Sequence, residues 1–575
     1  MRHNVDVAII GGGPAGSTVG ALLAKYAPHL KILLLERERF PRDHVGESHL
    51  PSISHILDEM GVWDQVEAAG FPIKIGATYR WGRTDELWDF EFIADGVFHP
   101  APRPGKFEGQ RRQTAFQVDR AIYDKILLDH AKTLGCDVRE ETRVRTVETS
   151  GDFVTGLVLD NGDEVRARHY VDASGHSGLL RRAMGIEVEI PTSLQNVAFW
   201  DYWRNAEWAV SIGVGGTRVQ VLSLTYGWIW FIPLGPDRTS IGLIVPASYA
   251  KSCGKRPEQL YLEAIHSDPL VSRLIRNAEQ EHKFSATSDW SFLAKRLSGA
   301  NWLLVGESAG FADPILAAGL ALTHAAARSA AYTILELDRK EIEPEWLRES
   351  YSDNGRAQIR QHMRFADFWY TANGVFSDLQ DQAQKIAADV GLTLTAEEAW
   401  RWLGQGGFIE HTSGTNLGGC GLLVAKEIVD AFTGGQSSLQ IVGKTHFRTD
   451  LEGAEKEWTC EMARGRITRR RMYRRDGKVL PMIGVTAFLV QLFKAERAYS
   501  EMYRMPLPEI TPGPGQALDP GKAQLEVLKT LEALVSDGWI VGRVEPGAEK
   551  FPPFEFDMKA LVHANRDTLV TPRQP

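Results

Sequence analysis

Three closely spaced glycines near the N-terminus could hold a dinucleotide. Gly11, Gly13 and Gly16 form the pattern G-x-G-x-x-G, and Pro14 and Ala15 fill the last gap. The first glycine permits a tight turn, the second lets the backbone approach a pyrophosphate, and the third lets a helix pack close to a strand. Free N–H groups at the start of that helix would face the phosphates. The spacing predicts a dinucleotide site that includes all five residues.

Two strands and a helix must surround these glycines for the site to form. Val5–Ile10 is a short, mostly apolar run, which is typical of a strand buried in a parallel sheet. A helix over Ser17–Lys25 and a strand over Lys31–Leu35 follow. Glu36 ends that strand, where a carboxylate can bind an adenosine ribose, and we include Arg37 beside it in the site. These residues alone are compatible with FAD or NAD.

A second set of residues could line one side of a cavity. On a strand, Trp228 and Trp230 would point to one face and Phe231 to the other, so two indoles would close one side of a cavity. Lys74 is a single cation in the apolar stretch Phe71–Gly76. Aromatic residues on a strand are usually core, and a lone lysine usually extends its charge to the surface. A functional interpretation of these residues therefore depends on further motifs.

Three later segments distinguish between the two cofactors. Gln117–Arg120, Val171–Gly175 and Leu303–Gly310 resemble, in order and separation, the flavin monooxygenases of the p-hydroxybenzoate hydroxylase type. The resemblance implies FAD, held by residues of these segments and by two others that we assign with them: Arg120, Asp172, Gly306, Glu307, Ser48 and Gly319. Glu307 departs from the Gly-Asp usual in that group.

Within that superfamily, the segment from Trp228 to Pro233 resembles the W-x-W-x-I-P motif of the flavin-dependent halogenases. Lys74 matches the position of the catalytic lysine of these enzymes. The resemblance implies that reduced FAD, O2 and chloride or bromide yield hypohalous acid, which an internal passage carries to Lys74. The lysine would hydrogen-bond the acid or form a chloramine, and Trp228 and Trp230 would keep the substrate away from the flavin.

Two further sites follow from the same resemblance. Ala318 and Gly319 stand where the family often has a small-Ser-Gly turn whose backbone N–H groups hold the halide, and these groups need no serine hydroxyl. Asp289 is a candidate for covalent flavin attachment, although a carboxylate there is more often a strand-end acceptor. We expect no metal site.

The motifs together predict an α/β fold. We expect a Rossmann-type FAD-binding domain, an interleaved β-sheet substrate domain resembling p-hydroxybenzoate hydroxylase, and a mainly α C-terminal domain. The predicted FAD-binding domain is discontinuous, and the predicted boundaries are 1–75, 104–185 and 295–394 for it, 76–103 and 186–294 for the β-sheet domain, and 395–575 for the C-terminal region.

Composition limits the partners. The 575 residues carry a formal net charge of −9, so no global field would collect nucleic acid. The four cysteines are far apart, and the chain begins directly with a strand and has no membrane-spanning apolar run, so we expect a cytoplasmic protein without stable membrane insertion. A second G-x-G-x-x-G unit is absent from the sequence, which predicts a separate flavin reductase.

The C-terminal region should determine the substrate. The resemblance implies a small phenolic, pyrrolic or activated acyl substrate, free or tethered to a carrier protein, in secondary metabolism. Arg464–Arg475 contains seven arginines, which indicates a solvated helix face or a surface for an acidic partner. Alternatives to a halogenase are a geranylgeranyl-reductase-like flavoprotein, an aromatic hydroxylase and a non-enzymatic flavin-binding regulator.

Overall fold

The structure is a computed structural model of the whole chain. It describes residues 1–81, 87–92, 114–191, 194–211, 215–288, 291–372, 439–476, 478–504, 520–553 and 562–564. The chain divides into two compact units. The first comprises Met1–Ala366, Arg464–Arg466 and His563–Pro575, and the second comprises Asp367–Ala463 and Ile467–Val562.

The first sheet of the first unit has seven strands in the order β6-β2-β1-β9-β8-β7, with β18 beside β9. The strands of this sheet are β1 (Arg2–Ile10), β2 (Ile32–Leu35), β6 (Asp137–Arg139), β7 (Val144–Ser150), β8 (Phe153–Leu159), β9 (Glu164–Asp172) and β18 (Trp302–Leu304). The first five helices of the unit are α1 (Pro14–Tyr26), α2 (Ile53–Met60), α3 (Trp63–Ala68), α4 (Arg120–Thr133) and α5 (Leu179–Ala183).

The parallel strands of this sheet end together. Ile10 is in register with both Leu35 and Asp172, and Leu304 is also in register with Asp172. The residues that follow these strands therefore meet at one edge, which is where open α/β sheets bind ligands. The predicted strand, glycine turn, helix and second strand are all confirmed.

A second, mostly antiparallel sheet has the order β15-β11-β14-β13-β12-β3-β4, with β16 beside β11 and β5 beside β3. Its strands are β3 (Ile73–Arg80), β4 (Trp88–Glu91), β5 (Ala115–Phe116), β11 (Asn196–Arg204), β12 (Gly216–Leu224), β13 (Gly227–Pro233), β14 (Arg238–Pro246), β15 (Glu279–Gln280) and β16 (Ser285–Ser288). The remaining elements of this unit are β10 (Val188–Glu189), α6 (Ala247–Ser252), α7 (Pro257–Ser267), α8 (Pro269–Leu274), β17 (Phe292–Ala294), β19 (Gly310–Phe311), α9 (Gly319–Arg339) and α10 (Pro344–Ala372, which runs into the second unit).

The two faces of this second sheet differ. One face, which includes Ile229, Phe231 and Leu243, packs with α7 and α8 into a closed apolar cluster. The opposite face carries Tyr79, whose hydroxyl donates to the carbonyl of Ile315 at 3.2 Å. Because Ile315 lies just before α9, this second face is the one turned toward the predicted cofactor residues.

The second unit contains β20 (His446–Thr449), β21 (Glu455–Ala463), β22 (Arg466–Arg475, from Ile467 onward), β23 (Lys478–Pro481), α11 (Gly484–Leu492), β24 (Arg497–Ala498), α12 (Pro520–Ser536), β25 (Ile540–Arg543) and the start of β26 (Val562–Ala564). Helices α11 and α12 contribute to its apolar core with Phe447, Leu480 and Trp539. In the described part of region 395–575, strands are as prominent as helices, so the expectation of a mainly α domain is wrong there.

The arginine-rich segment explains part of that error. Arg464–Arg475 contains a turn and a strand rather than a helix face. Arg464 and Gly465 both have positive φ, 49° and 71°, between the ends of β21 and β22. Such two-residue turns join antiparallel strands, and a glycine at the second position favours them. The sequence prediction relied on the number of arginines and overlooked the turn that Gly465 favours.

Candidate active site

The glycine turn has the shape that a pyrophosphate requires. A Cβ on Gly11 would lie 2.3 Å from the carbonyl oxygen of Ala173, and one on Gly16 would lie 1.9 Å from that of Gly11. A Cβ on Gly13 would meet only Nη2 of Arg42, at 3.5 Å. Two glycines are therefore required by packing, while the space beside Gly13 is open to a ligand.

Two features at this opening suit a diphosphate. Helix α1 starts at Pro14 without a side-chain cap, so its first N–H groups stay available to an anion. Arg42 lies beside Gly13, and its buried Nη1 atom makes no hydrogen bond, although it lies 3.6 Å from a carboxylate oxygen of Asp124. Sequence reasoning missed Arg42, which no motif singled out. The residues present therefore fit the pyrophosphate of FAD.

Glu36 follows the last residue of β2 and lies beside the glycine turn. Its side chain is buried, and its Oε2 and Oε1 atoms accept hydrogen bonds from the N–H groups of Gly12 (2.6 Å) and Glu38 (2.9 Å). Each carboxylate oxygen has a second lone pair for a hydroxyl. Arg37 is exposed beside Glu38, so its side chain is the least enclosed of the predicted cofactor residues.

Arg120 fixes the loop that leads into the site. Its guanidinium bonds both oxygens of the buried Asp124, at 2.7 and 2.9 Å, and donates to the carbonyls of Val45 and Gly46 at 2.9 and 3.1 Å. Burial alone would lower the pKa of Arg120, but Asp124 outweighs it and raises that pKa. The spacing of four residues on one helix could have revealed Asp124 as the partner.

Two acids at the ends of β9 and β18, Asp172 and Glu307, differ in how deeply they are buried. Asp172 is completely buried, and its oxygens accept bonds from Ser174, Leu180 and Arg181, so this carboxylate shapes the turn after β9. Glu307 is half-buried in the short 3-10 helix Gly306–Ser308, and its charge also favours the protonated Arg120. Glu307 is therefore the acid better placed to meet a ligand.

The predicted halide residues lie at the start of the long helix α9. Ala317 has a φ of +54°, Ala318 is the N-cap residue without a side-chain bond, and Gly319 opens the helix. The first backbone N–H groups of α9 are thus not capped by a side chain. A helix N-terminus of this kind attracts anions through its dipole and its free N–H groups. Asp289 lies outside the described residues.

Lys74 is almost completely enclosed, with 2% of its surface exposed. Its Nζ atom donates to the carbonyl of His49 at 3.1 Å and lies 5.4 Å from the centre of the Phe92 ring. A bulge between β3 and β12 places Lys74 opposite Thr217 while Gly76 is opposite Arg218. Without the bulge, Lys74 would share the face of Gly76; with it, the lysine is on the face of Tyr79.

The two tryptophans of β13 form a continuous surface on that same face. The indoles of Trp228 and Trp230 are buried, with ring centres 6.2 Å apart, and Trp81 extends the row at 6.3 Å from Trp228. Nε1 of Trp230 donates to the hydroxyl of Ser240 at 3.1 Å. Phe231 lies on the opposite face, as predicted. We call Trp228 and Trp230 the tryptophan wall.

Glu47 is a buried acid next to this wall that the sequence did not single out. It is 2% exposed, and its Oε2 atom has no hydrogen-bond partner. Burial raises the pKa of Glu47 to about 7, against the opposing effects of the Tyr202 and Ser240 hydroxyls and of the charges on Arg238 and Arg120. A carboxyl of this kind exchanges its proton near neutral pH.

A chain of buried polar groups braces the helices around the site. His324 on α9 contacts the hydroxyl of Thr18 on α1 at 2.9 Å and that of Tyr123 on α4 at 2.8 Å. Burial lowers the pKa of His324 to about 3, so the ring is neutral at physiological pH. The three helices that approach the cofactor residues are therefore tied together by uncharged hydrogen bonds.

Comparison with known proteins agrees with this geometry. A family model described as an FAD binding domain matches residues 4–366. The chain is 30% identical over 387 residues to the 1H-pyrrole-2-carbonyl-[peptidyl-carrier protein] chlorinase of Pseudomonas fluorescens, covering 65% of this chain and 85% of that protein. The chain belongs to the flavin-dependent halogenases, within the FAD-binding family. Its cofactor is therefore FAD, and a halide is its co-substrate.

Solved structures extend the match. The myxobacterial chondrochloren halogenase CndH is 26% identical, with a TM-score of 0.59 over 76% of this chain and 98% of that one. The flavin-dependent halogenase CmlS is 24% identical, with a TM-score of 0.69 over 98% of this chain and all of that one, which establishes the shared fold. Among the described residues, no helix of this halogenase is long and apolar enough to cross a membrane.

Proposed function

We propose that Lys74 delivers the oxidised halogen to an electron-rich carbon of a phenolic, pyrrolic or activated acyl substrate. The observation that carries this proposal is the position of Lys74, a buried cation on the same sheet face as the tryptophan wall. Lysines are seldom buried without a task, and the bulge in β3 that turns this one toward the wall supports a specific role.

The reaction can be written with all atoms balanced. When bound, reduced FAD supplies the two electrons with which FADH2, O2, X− and H+ give FAD, HOX and H2O. HOX and R–H then give R–X and H2O. The free N–H groups at Ala318 and Gly319 would hold the halide, and the tryptophan wall would keep R–H apart from the flavin. An N–H of Lys74 would hydrogen-bond the oxygen of HOX, which makes the halogen more electrophilic.

A substitution at Lys74 tests this role. Lys74→Leu removes the charge and the N–H donors and leaves an apolar side chain that hypohalous acid does not oxidise, so we expect loss of halogenation at unchanged FAD affinity. The assay is mass spectrometry of products formed from a panel of free and carrier-bound phenols and pyrroles with reduced FAD and bromide. Lys251→Leu, on the exposed helix α6, is the matched control. Wild-type product yield from Lys74→Leu would refute the assignment.

The substrate is either a small molecule or a group tethered to a carrier protein. A carrier-tethered substrate is supported by the similarity to the Pseudomonas carrier-protein chlorinase. The arginine-rich β22, in which Arg469, Arg470 and Arg471 are exposed, offers a basic surface for an acidic carrier. Charge reversal at these three residues should slow turnover of carrier-bound substrate and leave free substrate unaffected; equal rates on both would argue against carrier docking at β22.

The electrons would come from a separate flavin reductase. Only one strand–G-x-G-x-x-G–helix unit is present in the sequence, and the FAD residues account for it. We therefore expect that NADPH alone does not bleach the bound flavin, and that a reductase added in solution restores turnover. Rapid bleaching by NADPH in a stopped-flow spectrometer would instead indicate direct hydride transfer to this protein.

A further inference from the structure

Several buried polar atoms beside Lys74 lack any partner. The Oγ atom of Ser48, both ends of the Gln117 amide and the Oγ1 atom of Thr217 make no hydrogen bond, and the three side chains are between 0% and 7% exposed. Buried polar groups nearly always find a partner, because leaving one unpaired costs free energy. A cluster of such groups indicates a place that a small polar molecule fills.

The strand register puts these groups in one row. Residues directly opposite each other on neighbouring strands share a face, as do alternate residues along a strand. Ser48 is opposite Gln117, and Ala115, two residues earlier, is opposite Lys74. Lys74 is in turn opposite Thr217. Ser48, Gln117 and Thr217, which we call the polar row, therefore lie on the face of Lys74.

The polar row also connects the loop on the cofactor side with the tryptophan wall. Thr217 shares its face of β12 with Val219 and Val221, and Val221 is opposite Trp230. At the other end, Ser48 belongs to the loop whose Val45 and Gly46 carbonyls Arg120 holds. The polar row thus runs from the loop at the cofactor side to the catalytic lysine and the tryptophan wall.

We infer that the polar row is a binding site for a small, uncharged donor–acceptor molecule, and that hypohalous acid occupies it immediately before Lys74. The inference rests on the proposed delivery role of Lys74. A hydroxyl and an amide can each donate and accept a hydrogen bond, which suits HO–X and water equally. The row contains no ionised group, so hypohalous acid would be held without reacting with an amine before it reaches the lysine.

Isosteric apolar substitutions separate this role from a structural one. Gln117→Leu and Thr217→Val remove the hydrogen-bonding groups, keep a similar volume and add no sulfur atom that hypohalous acid could oxidise. Because these groups make no bond within the protein, we expect the melting temperature of the FAD-loaded enzyme to stay the same or to rise. Halogenated product per O2 consumed should fall by roughly tenfold, the effect of one lost hydrogen bond, as free hypohalous acid or peroxide appears in solution.

Two controls define the comparison. Thr333→Val removes a buried hydroxyl that does donate, to the carbonyl of Ser329 at 2.8 Å, and should lower the melting temperature without uncoupling the reaction. Gln259→Leu, on the exposed surface of α7, should change neither quantity.

The possible results lead to different conclusions. Lower coupling at full stability in both row variants supports the binding site. Wild-type coupling in both, or a loss of activity that only follows a loss of stability, overturns it. If Lys74→Leu keeps halogenating while the row variants uncouple, the delivery role of Lys74 has failed and the row binds an oxidant on another route. If Lys74→Leu is inactive and the row variants are normal, only the polar-row inference is wrong.

Discussion

Replacing the buried Glu47 by glutamine should change how stability depends on pH. In the folded protein, burial raises the pKa of Glu47 from 4.5 to about 7. The native state therefore keeps a proton that the unfolded chain releases. The resulting stabilisation is complete below about pH 4.5 and is lost as the pH rises to 7. A shift of this size corresponds to about 3 kcal/mol, because each pKa unit represents about 1.36 kcal/mol.

Glu47→Gln carries no charge at any pH, so it does not undergo this loss. We expect the stability of Glu47→Gln relative to the wild type to increase by roughly 1.6 kcal/mol between pH 5.5 and pH 7, about half of the whole change, and to level off about one pH unit above pH 7. The measurement is the melting temperature of both FAD-loaded proteins across this pH range. Taking the difference between them cancels the titration of every other group.

The control for this experiment is Glu349→Gln. Glu349 is exposed on α10, so its substitution removes one carboxylate from the protein without changing a buried site. If the Glu47→Gln and wild-type curves run parallel from pH 5.5 to pH 8, the carboxyl of Glu47 is ionised throughout, and its burial does not have the effect described. If the stabilities of Glu47→Gln and the wild type converge toward high pH, the pKa of Glu47 is lowered in the folded protein rather than raised.

Substitutions at three glycines should have different effects, because an added Cβ would meet open space at one and a close neighbour at the others. Gly13→Ala should fold normally and weaken FAD binding by at least tenfold in a fluorescence titration. Gly16→Ala would place a Cβ 1.9 Å from the Gly11 carbonyl and should fail to give folded protein. Equal behaviour of the two variants would refute the placement of the pyrophosphate beside Gly13. Gly242→Ala would put a Cβ 2.1 Å from the ring of Trp230 and should cost about 1–3 kcal/mol in thermal stability while lowering halogenated product per O2 consumed; full coupling would show that the indole position is not critical.

The strands and the helix around the candidate cofactor site could be predicted from sequence because they depend on local patterns. A buried strand, a glycine turn and a helix follow each other within the first 26 residues, and each pattern is specified by its own residue types. The ends of β2 and β9 then join the turn through the parallel register, which is the usual arrangement for this kind of sheet. Resemblance to known enzymes added the hypothesis that the tryptophan motif and Lys74 take part in the reaction.

Other parts could not be predicted because they depend on contacts between distant segments. Arg42 meets Gly13, and Glu47 meets Tyr202 and Ser240, only after the chain has folded, and the intervening sequence carries no sign of either contact. The C-terminal arginines were misjudged for a different reason. Their charge suggested a helix surface, while the turn at Arg464 and Gly465 depended on backbone geometry.

The bulge in β3 determines on which face of the sheet Lys74 lies. Strict alternation would place Lys74 on the face of Gly76 and Thr78. The neighbouring residue on that face is Arg218, which is opposite Gly76 and lies 3.5 Å from the buried Asp89. One extra residue in β3 moves the lysine to the opposite face, in line with Thr217. Two buried cations side by side would repel each other, so the bulge separates Lys74 from Arg218 and sets it beside the polar row that we propose as a binding site.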